Sequence, residues 1–248
     1  MKLNLLAASA AAATSLMLAG AAQAASLVVD DWKITTGDEV IVDLLAPTAN
    51  PIVTPDPRTT TGGTSLTRRE MGLYLNPTGQ NARATDCVGC QQAELSTDVN
   101  SVAHAYWHWS SSTQIDLADF TSIDLAFSSD RSGLDVIFSF FDGSTYVGER
   151  WIKEMPDTDT DEVTLSYAMN LTGKFTNVYM DMITFAGVYD DTSSFAGRPD
   201  LGSRDYGKGG ERYDVTLSNV TMRTPEPSSL ALVGLTLAGL GFMRRRRA

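Results

Sequence analysis

From about residue 25 to residue 223, apolar and polar positions alternate with a period of two, in short runs broken by Gly, Asp, Asn, Ser and Pro. That period marks strands with one face buried and the other wet. Eleven runs are predicted as strands: 27–32, 40–45, 65–76, 93–99, 102–109, 122–128, 134–141, 146–153, 163–168, 177–185 and 213–222. In Ile123-Asp124-Leu125-Ala126-Phe127 the three large apolar residues share one face and Asp124 takes the other. No convincing amphipathic helix lies between the runs. Many short strands with turn signals about every ten residues predict an all-β fold, an antiparallel, jelly-roll-like β-sandwich rather than an α/β sheet. Two stretches break the alternation. Residues 47–63 hold four prolines and the pair Gly62-Gly63, which predicts a long exposed loop. Residues 189–212 crowd Asp190, Asp191, Asp200 and Asp205 among five glycines, and a loop of that length in a compact domain is functional or mobile.

The ends follow other rules. Met1-Lys2 is a positive start, residues 3–20 are almost wholly apolar, and Ala22-Gln23-Ala24 offers the small residues that signal peptidase accepts, so a signal peptide is expected over 1–24. At the other end Pro225-Glu226-Pro227 leads into an uncharged run, 228–243, that stops at Arg244, Arg245, Arg246 and Arg247. As a helix, 16 residues span roughly 24 Å, short of the ~30 Å hydrocarbon slab, and snorkelling Arg side chains close the gap. A compact Arg cluster stays on the cytoplasmic side, so the portion before it should lie across the membrane. The predicted organisation is a signal peptide over 1–24, a β-sandwich domain over 25–223 and a sorting segment with a transmembrane helix over 224–248.

The proline-flanked glutamate, the short Leu-, Gly- and Ala-rich segment and the terminal Arg run, behind a signal peptide, resemble the PEP-CTERM exported proteins. The resemblance covers about a tenth of the chain. It implies a sorting signal read by a membrane-embedded exosortase that processes the chain near Pro225-Glu226-Pro227. It also implies a Gram-negative producer of exopolysaccharide and biofilm, and a product released to the surface or matrix. Asp31-Trp32, Thr67-Arg68-Arg69-Glu70, the passage from Asp116 to Ile123 and the late strand from Tyr213 to Val220 look like a galactose-binding-like jelly roll, an architecture shared by carbohydrate-binding modules. No binding residue carries over from that likeness.

Charge narrows the partners. Of 19 Lys and Arg, five lie in the two ends, as does one of the 30 acids, Glu226; the portion between carries 14 positive and 29 negative charges, a net of −15. Such a domain repels nucleic acid, whose phosphates need a basic patch. Cys87 and Cys90, spaced by Val88-Gly89, suit a local disulfide in an oxidising compartment; redox-active thiols and half of a zinc site are the alternatives, the last short of a second soft pair.

Catalytic signals are sparse. His104, Tyr106 and His108 share one face of a strand with Trp107 and Trp109 opposite, which reads as a solvent-facing polar stripe beside a core Trp pair. No His-Glu-x-x-His and no Gly-x-Ser-x-Gly is present. Carboxylates abound, so a pair at glycosidase spacing discriminates nothing. Sugar binding has a physical basis, because pyranose CH faces stack on rings while hydroxyls pair with charged groups. The candidates are Tyr146, Trp151, Tyr189 and Tyr206, with Arg150, Arg204 and Asp205 as hydroxyl partners. Asp190, Asp191 and Asp205 are candidate calcium ligands, with Asp30 or Asp214 adding a further oxygen. The expected protein is a non-enzymatic, exported module for extracellular polysaccharide, acted on by signal peptidase and an exosortase-type enzyme. A secreted carbohydrate-active enzyme and a structural matrix component without a specific ligand are the alternatives.

Overall fold

The computed structural model describes residues 26–32, 40–44, 52–55, 66–75, 81–87, 90–98, 103–184, 189–191, 204–206 and 212–225. The chain divides into a body, residues 27–222, and a unit of the two ends, 1–26 with 223–248. The expected signal peptide and the expected membrane segment lie outside the described residues. Among the described residues, no helix is long and apolar enough to cross a membrane.

Fifteen strands are described: β1 (Ser26–Asp30), β2 (Val40–Leu44), β3 (Ile52–Pro55), β4 (Leu66–Leu75), β5 (Ala82–Cys87), β6 (Gln92–Thr97), β7 (Ala103–Asp116), β8 (Ser122–Ser129), β9 (Leu134–Asp142), β10 (Thr145–Met155), β11 (Val163–Ala168), β12 (Lys174–Thr184), β13 (Tyr189–Asp191), β14 (Arg204–Tyr206) and β15 (Tyr213–Arg223). Among the described residues a single 3-10 turn, Leu117–Asp119, interrupts them, started by Asp116, whose carboxylate accepts from the Ala118 amide at 3.0 Å. A seven-stranded sheet runs β11-β8-β15-β6-β5-β2 with β1 on β15; a six-stranded sheet runs β10-β9-β12-β7-β4-β3; β13 and β14 form a separate ribbon. Strands β10–β9, β11–β8, β12–β7, β12–β9, β13–β14, β15–β6, β2–β5, β3–β4, β4–β7 and β5–β6 pair antiparallel.

The alternation in the sequence becomes burial. β6 alternates half-buried with buried residues, and β11 half-buried with exposed ones. Inward residues of both sheets make one core: Val29, Leu95, Leu125, Phe127 and Leu217 from one, Met71, Trp107, Trp109, Phe138, Phe140 and Met180 from the other. Fully burying one such side chain contributes about 1.5–3 kcal/mol. In β9 nearly every residue is buried, on both faces of the strand.

The sequence expectations need amending at four places, the first being the loop expected over 189–212, which contains the paired strands β13 and β14. The exposed loop expected over 47–63 contains a strand, β3, paired with β4 and ending on Pro55, a residue that a short terminal strand tolerates because its missing N–H can face away from the ladder. β5 was not expected at all: Ala-Arg-Ala-Thr-Asp-Cys shows little apolar alternation, yet it is buried at every position but Arg83. The strand expected over 102–109 continues as far as Asp116.

An ion cluster braces the core. Arg68 of β4 is 1% exposed, and its guanidinium binds Asp30 of β1 through Nε at 2.9 Å and also pairs with Asp86 of β5. Asp30 further accepts from Trp109 Nε1 at 2.7 Å and from the Trp32 amide at 2.8 Å, and Arg68 lies over the Trp32 ring at 5.6 Å. The cluster joins the two sheets across the sandwich. Asp30, suggested above as a calcium ligand, is therefore committed to the core.

Candidate functional site

The side of the six-stranded sheet turned away from the core forms a grid. Register lines up five strands, so that Glu70, His108, Tyr179, Ser139 and Glu149 make one row, and Gly72, Tyr106, Asp181, Ile137 and Trp151 the next. A third row holds Ser110, Asn177, Phe141 and Tyr146. Residues directly opposite across antiparallel strands sit about 5 Å apart, close enough for rings to touch.

They do touch. His108 lies flat on Tyr179, with ring centroids 4.0 Å apart and planes 9° from parallel. Tyr106 meets Tyr179 at 6.2 Å, and Phe141 meets Tyr179 and Tyr146 edge-on, each at 5.6 Å. The result is a continuous aromatic band across β7, β12, β9 and β10. Tyr146 at one end is 45% exposed, His108 and Tyr179 are half-buried, and Phe141 and Tyr106 are buried. Gly72 makes room for the band, because a Cβ there would overlap the Tyr106 ring. Half-buried Trp151 stands in the same grid, donating from Nε1 to Asp135 at 2.6 Å, with Lys153 Nζ 4.4 Å from its ring centroid.

Polar groups hold the rings. His108 Nε2 shares a 3.1 Å hydrogen bond with Asn177 Oδ1, and the Asn177 amide donates to the Gly143 carbonyl at 3.0 Å. Glu70 lies 3.6 Å from the other nitrogen of His108, and its interaction with that imidazole holds its carboxyl below the usual range against the opposing effect of burial. His104 and Asp181 share a buried 2.8 Å hydrogen bond. The face thus combines rings with carboxylates and an amide, the two kinds of group that sugars engage.

A bulge makes this face. Register between β4 and β7 shifts between Arg68 and Glu70, so Arg69 is the extra residue. Without it, residues 68 and 70 would share a side; with it, Arg68 stays in the core and Glu70 reaches the outer grid beside His108.

Sequence-predicted residues scatter relative to the grid. Tyr146 and Trp151 belong to it. Arg150 does not: it pairs in register with core-facing Phe138, its guanidinium bonds the Trp151 carbonyl at 2.7 Å, and its charge acts on Tyr167. The stripe expected to face solvent is largely shielded, with His104 3% and Tyr106 6% exposed, because neighbouring rings and Asp181 crowd it. The two imidazoles have separate partners, and four residues along a strand put them about 13 Å apart, too far for one metal. For Tyr189, Asp190, Asp191, Arg204, Asp205 and Tyr206 the backbone alone is described: Tyr189 pairs with Tyr206, Asp190 with Asp205 and Asp191 with Arg204, their side chains lying outside the described residues. Asp214 lies on the other sheet, 2.8 Å from Arg212, with burial raising its carboxyl above the usual range. Tyr106, His108, Tyr179, Phe141 and Glu70 were not predicted. Alternation had set Tyr106 and His108 on one face, but which strands would flank them was not visible.

Elsewhere the chemistry differs. The outward side of the seven-stranded sheet carries a cleft of about 330 Å³ whose side chains include Arg83, Thr85, Glu94, Ser96, Asp214 and Thr216, with no ring among them. Cys87 and Cys90 are joined as a disulfide, with a Glu94 oxygen within 4.8 Å of both sulfurs. The sulfurs bind each other, so a metal there would first require reduction.

Residues 223–247 match the PEP-CTERM protein-sorting motif. The motif indicates an exported, exosortase-sorted protein. No curated protein matches the chain. Among solved structures, the body is similar to a family 29 carbohydrate-binding module in complex with mannohexaose, at 9% identity and a TM-score of 0.36, covering 82% of this chain and 94% of that one. It is also similar to the family 11 carbohydrate-binding module of a cellulosomal cellulase of Clostridium thermocellum, at 8% identity and a TM-score of 0.33 over 82% and 97%. The enzymatically active domain of tailspike protein 4 of bacteriophage CBA120 matches at 10% identity and a TM-score of 0.33, covering 75% of this chain and 19% of that one. Likeness at this level transfers neither a ligand nor a site.

Proposed function

We propose that the protein is an exported surface or matrix protein, anchored through its C-terminal segment until an exosortase processes it, whose body is a β-sandwich with jelly-roll-like winding that binds extracellular polysaccharide. The observation that carries the reading is the aromatic band on the outer face of the six-stranded sheet, running from exposed Tyr146 through Phe141 and Tyr179 to His108 and Tyr106. Exposed Tyr146 and the half-buried Tyr179 and His108 offer stacking positions to a chain of pyranoses, with buried Phe141 and Tyr106 backing them, and Glu70, Asn177, Glu149 and Trp151 border them with hydrogen-bonding groups. Tyr189 and Tyr206, opposite each other in the β13–β14 ribbon beside Arg204 and Asp205, are further candidates for the same ligand.

The test is calorimetric titration of the purified protein with the producer's own exopolysaccharide. Binding is expected without release of reducing ends. Tyr179→Ala and Trp151→Ala should each weaken it about tenfold, the scale of one stacked contact. Ile41→Ala, at a 41% exposed residue of the other sheet, should leave it unchanged. Folded protein that retains no glycan, or variants of unaltered affinity, would remove the reading; release of reducing ends would favour the carbohydrate-active enzyme.

A further inference from the structure

Five strands have a single partner in the two main sheets: β1, only five residues long and ending on Asp30, and the four at the ends of the strand orders, of which three carry devices that discourage pairing with another chain. β10 has two register shifts and the charged residues Glu149, Arg150 and Lys153; β3 ends on Pro55; β2 carries exposed Asp43. β11, Val163-Thr164-Leu165-Ser166-Tyr167-Ala168, has none of these: no charge, no proline, and six consecutive partners on β8 without a shift. Natural sheets blunt their edges with lysine, proline, bulges or short length, so an uncharged, regular edge rich in β-branched and aromatic residues stands out. Among the described residues, only β8 bonds the backbone of β11. Its core-facing residues Val163, Leu165 and Tyr167 are only half-buried, so apolar surface remains beside the open ladder.

We propose that β11 is a self-pairing edge: two copies of the chain join antiparallel through Val163–Ala168, continuing the seven-stranded sheet across the contact. The strand's own charges select this partner and this direction. Asp161 and Glu162 precede the strand. Parallel pairing would set these acids side by side, whereas antiparallel pairing sends them to opposite ends, roughly 20 Å apart and about two Debye lengths in physiological salt. A second copy is complementary because an uncharged strand meets itself without like-charge repulsion, although the bodies carry a net negative charge. Keeping the core-facing sides together sets Ser166 opposite Ser166 or Thr164 of the partner subunit. Main-chain hydrogen bonds then supply affinity, and the half-buried Val163, Leu165 and Tyr167 gain cover.

The full chain in detergent is the material for the test, with association measured by sedimentation. A concentration-dependent dimer is expected. Ser166→Lys, at an exposed residue, brings like charges near each other across the contact and should raise the dissociation constant by up to about fivefold with the melting transition in place. Ser166→Cys should give a disulfide-linked dimer under mild oxidation, cleanly because both native cysteines are paired, while Thr172→Cys in the following turn should not. A monomer at every concentration overturns the proposal. So does a dimer that Ser166→Lys leaves unchanged, which would assign association to the tail or another face. Capture of a foreign strand along β11 by an otherwise monomeric protein would equally overturn it.

Discussion

Arg68 is a buried cation that ties a strand of one sheet to two strands of the other. Its guanidinium is buried between the carboxylates of Asp30 and Asp86, and removing it would leave two carboxylates in the core without their cation. The Coulomb attraction of such a group roughly balances the cost of burying it, so the cluster is better regarded as specifying how the sheets stack than as a net source of stability. Losing one partner is another matter. Arg68→Ala is expected to destabilise the body by roughly 3–5 kcal/mol, read as a lower denaturant midpoint at unchanged slope. Arg68→Lys should fall between, because an ammonium keeps the charge and loses the planar fork; a midpoint equal to the native one in both variants would refute the bracing role. Little of this was legible beforehand. Asp30 looked available for a cation and Arg68 was one of many charges, since nothing local announces that residues 38 and 79 positions apart will meet.

Among the elements, strands rich in large apolar residues were legible and those held by neighbours were not. Runs such as 122–128 and 163–168 coincide with β8 and β11 to within a residue, because apolar and polar positions alternate there without interruption. β5 escaped because its inward residues are small or polar: Ala82 and Ala84 are buried, and Asp86 is admitted to the core only by Arg68. The β5–β6 hairpin that this strand opens is clipped by Cys87–Cys90. A cross-link closing so short a loop removes little unfolded-state entropy, about 2 kcal/mol by the chain-entropy relation. Replacing both cysteines by serine should therefore lower stability by no more than about that amount and leave glycan binding on the opposite sheet intact. Collapse of the whole fold on mild reduction would contradict this.

Across the whole molecule, an acidic body is tied to a tail of opposite character. The sorting motif over 223–247 begins at the last residue of β15. Substituting alanine for Glu226, or for Arg244, Arg245, Arg246 and Arg247 together, should leave the protein with its tail uncut and out of its normal fraction. Intact mass and fractionation of producing cells measure this, and an unchanged product would show that these residues do not direct sorting. Two joined copies would also present two aromatic faces to one polysaccharide, raising avidity without any new contact.

The amino-acid order by itself determined the all-β class, the inward and outward residues within most strands, the acidic character of the body, and the sorting segment, because each follows from the residues themselves or from neighbours a few positions apart. Tertiary structure alone decided which strands lie side by side, where the Arg69 bulge turns Glu70 outward, and hence that Tyr146, Phe141, Tyr179, His108 and Tyr106 form one band. Register between strands far apart in the chain is settled by closing the whole core at once, and no local pattern encodes it.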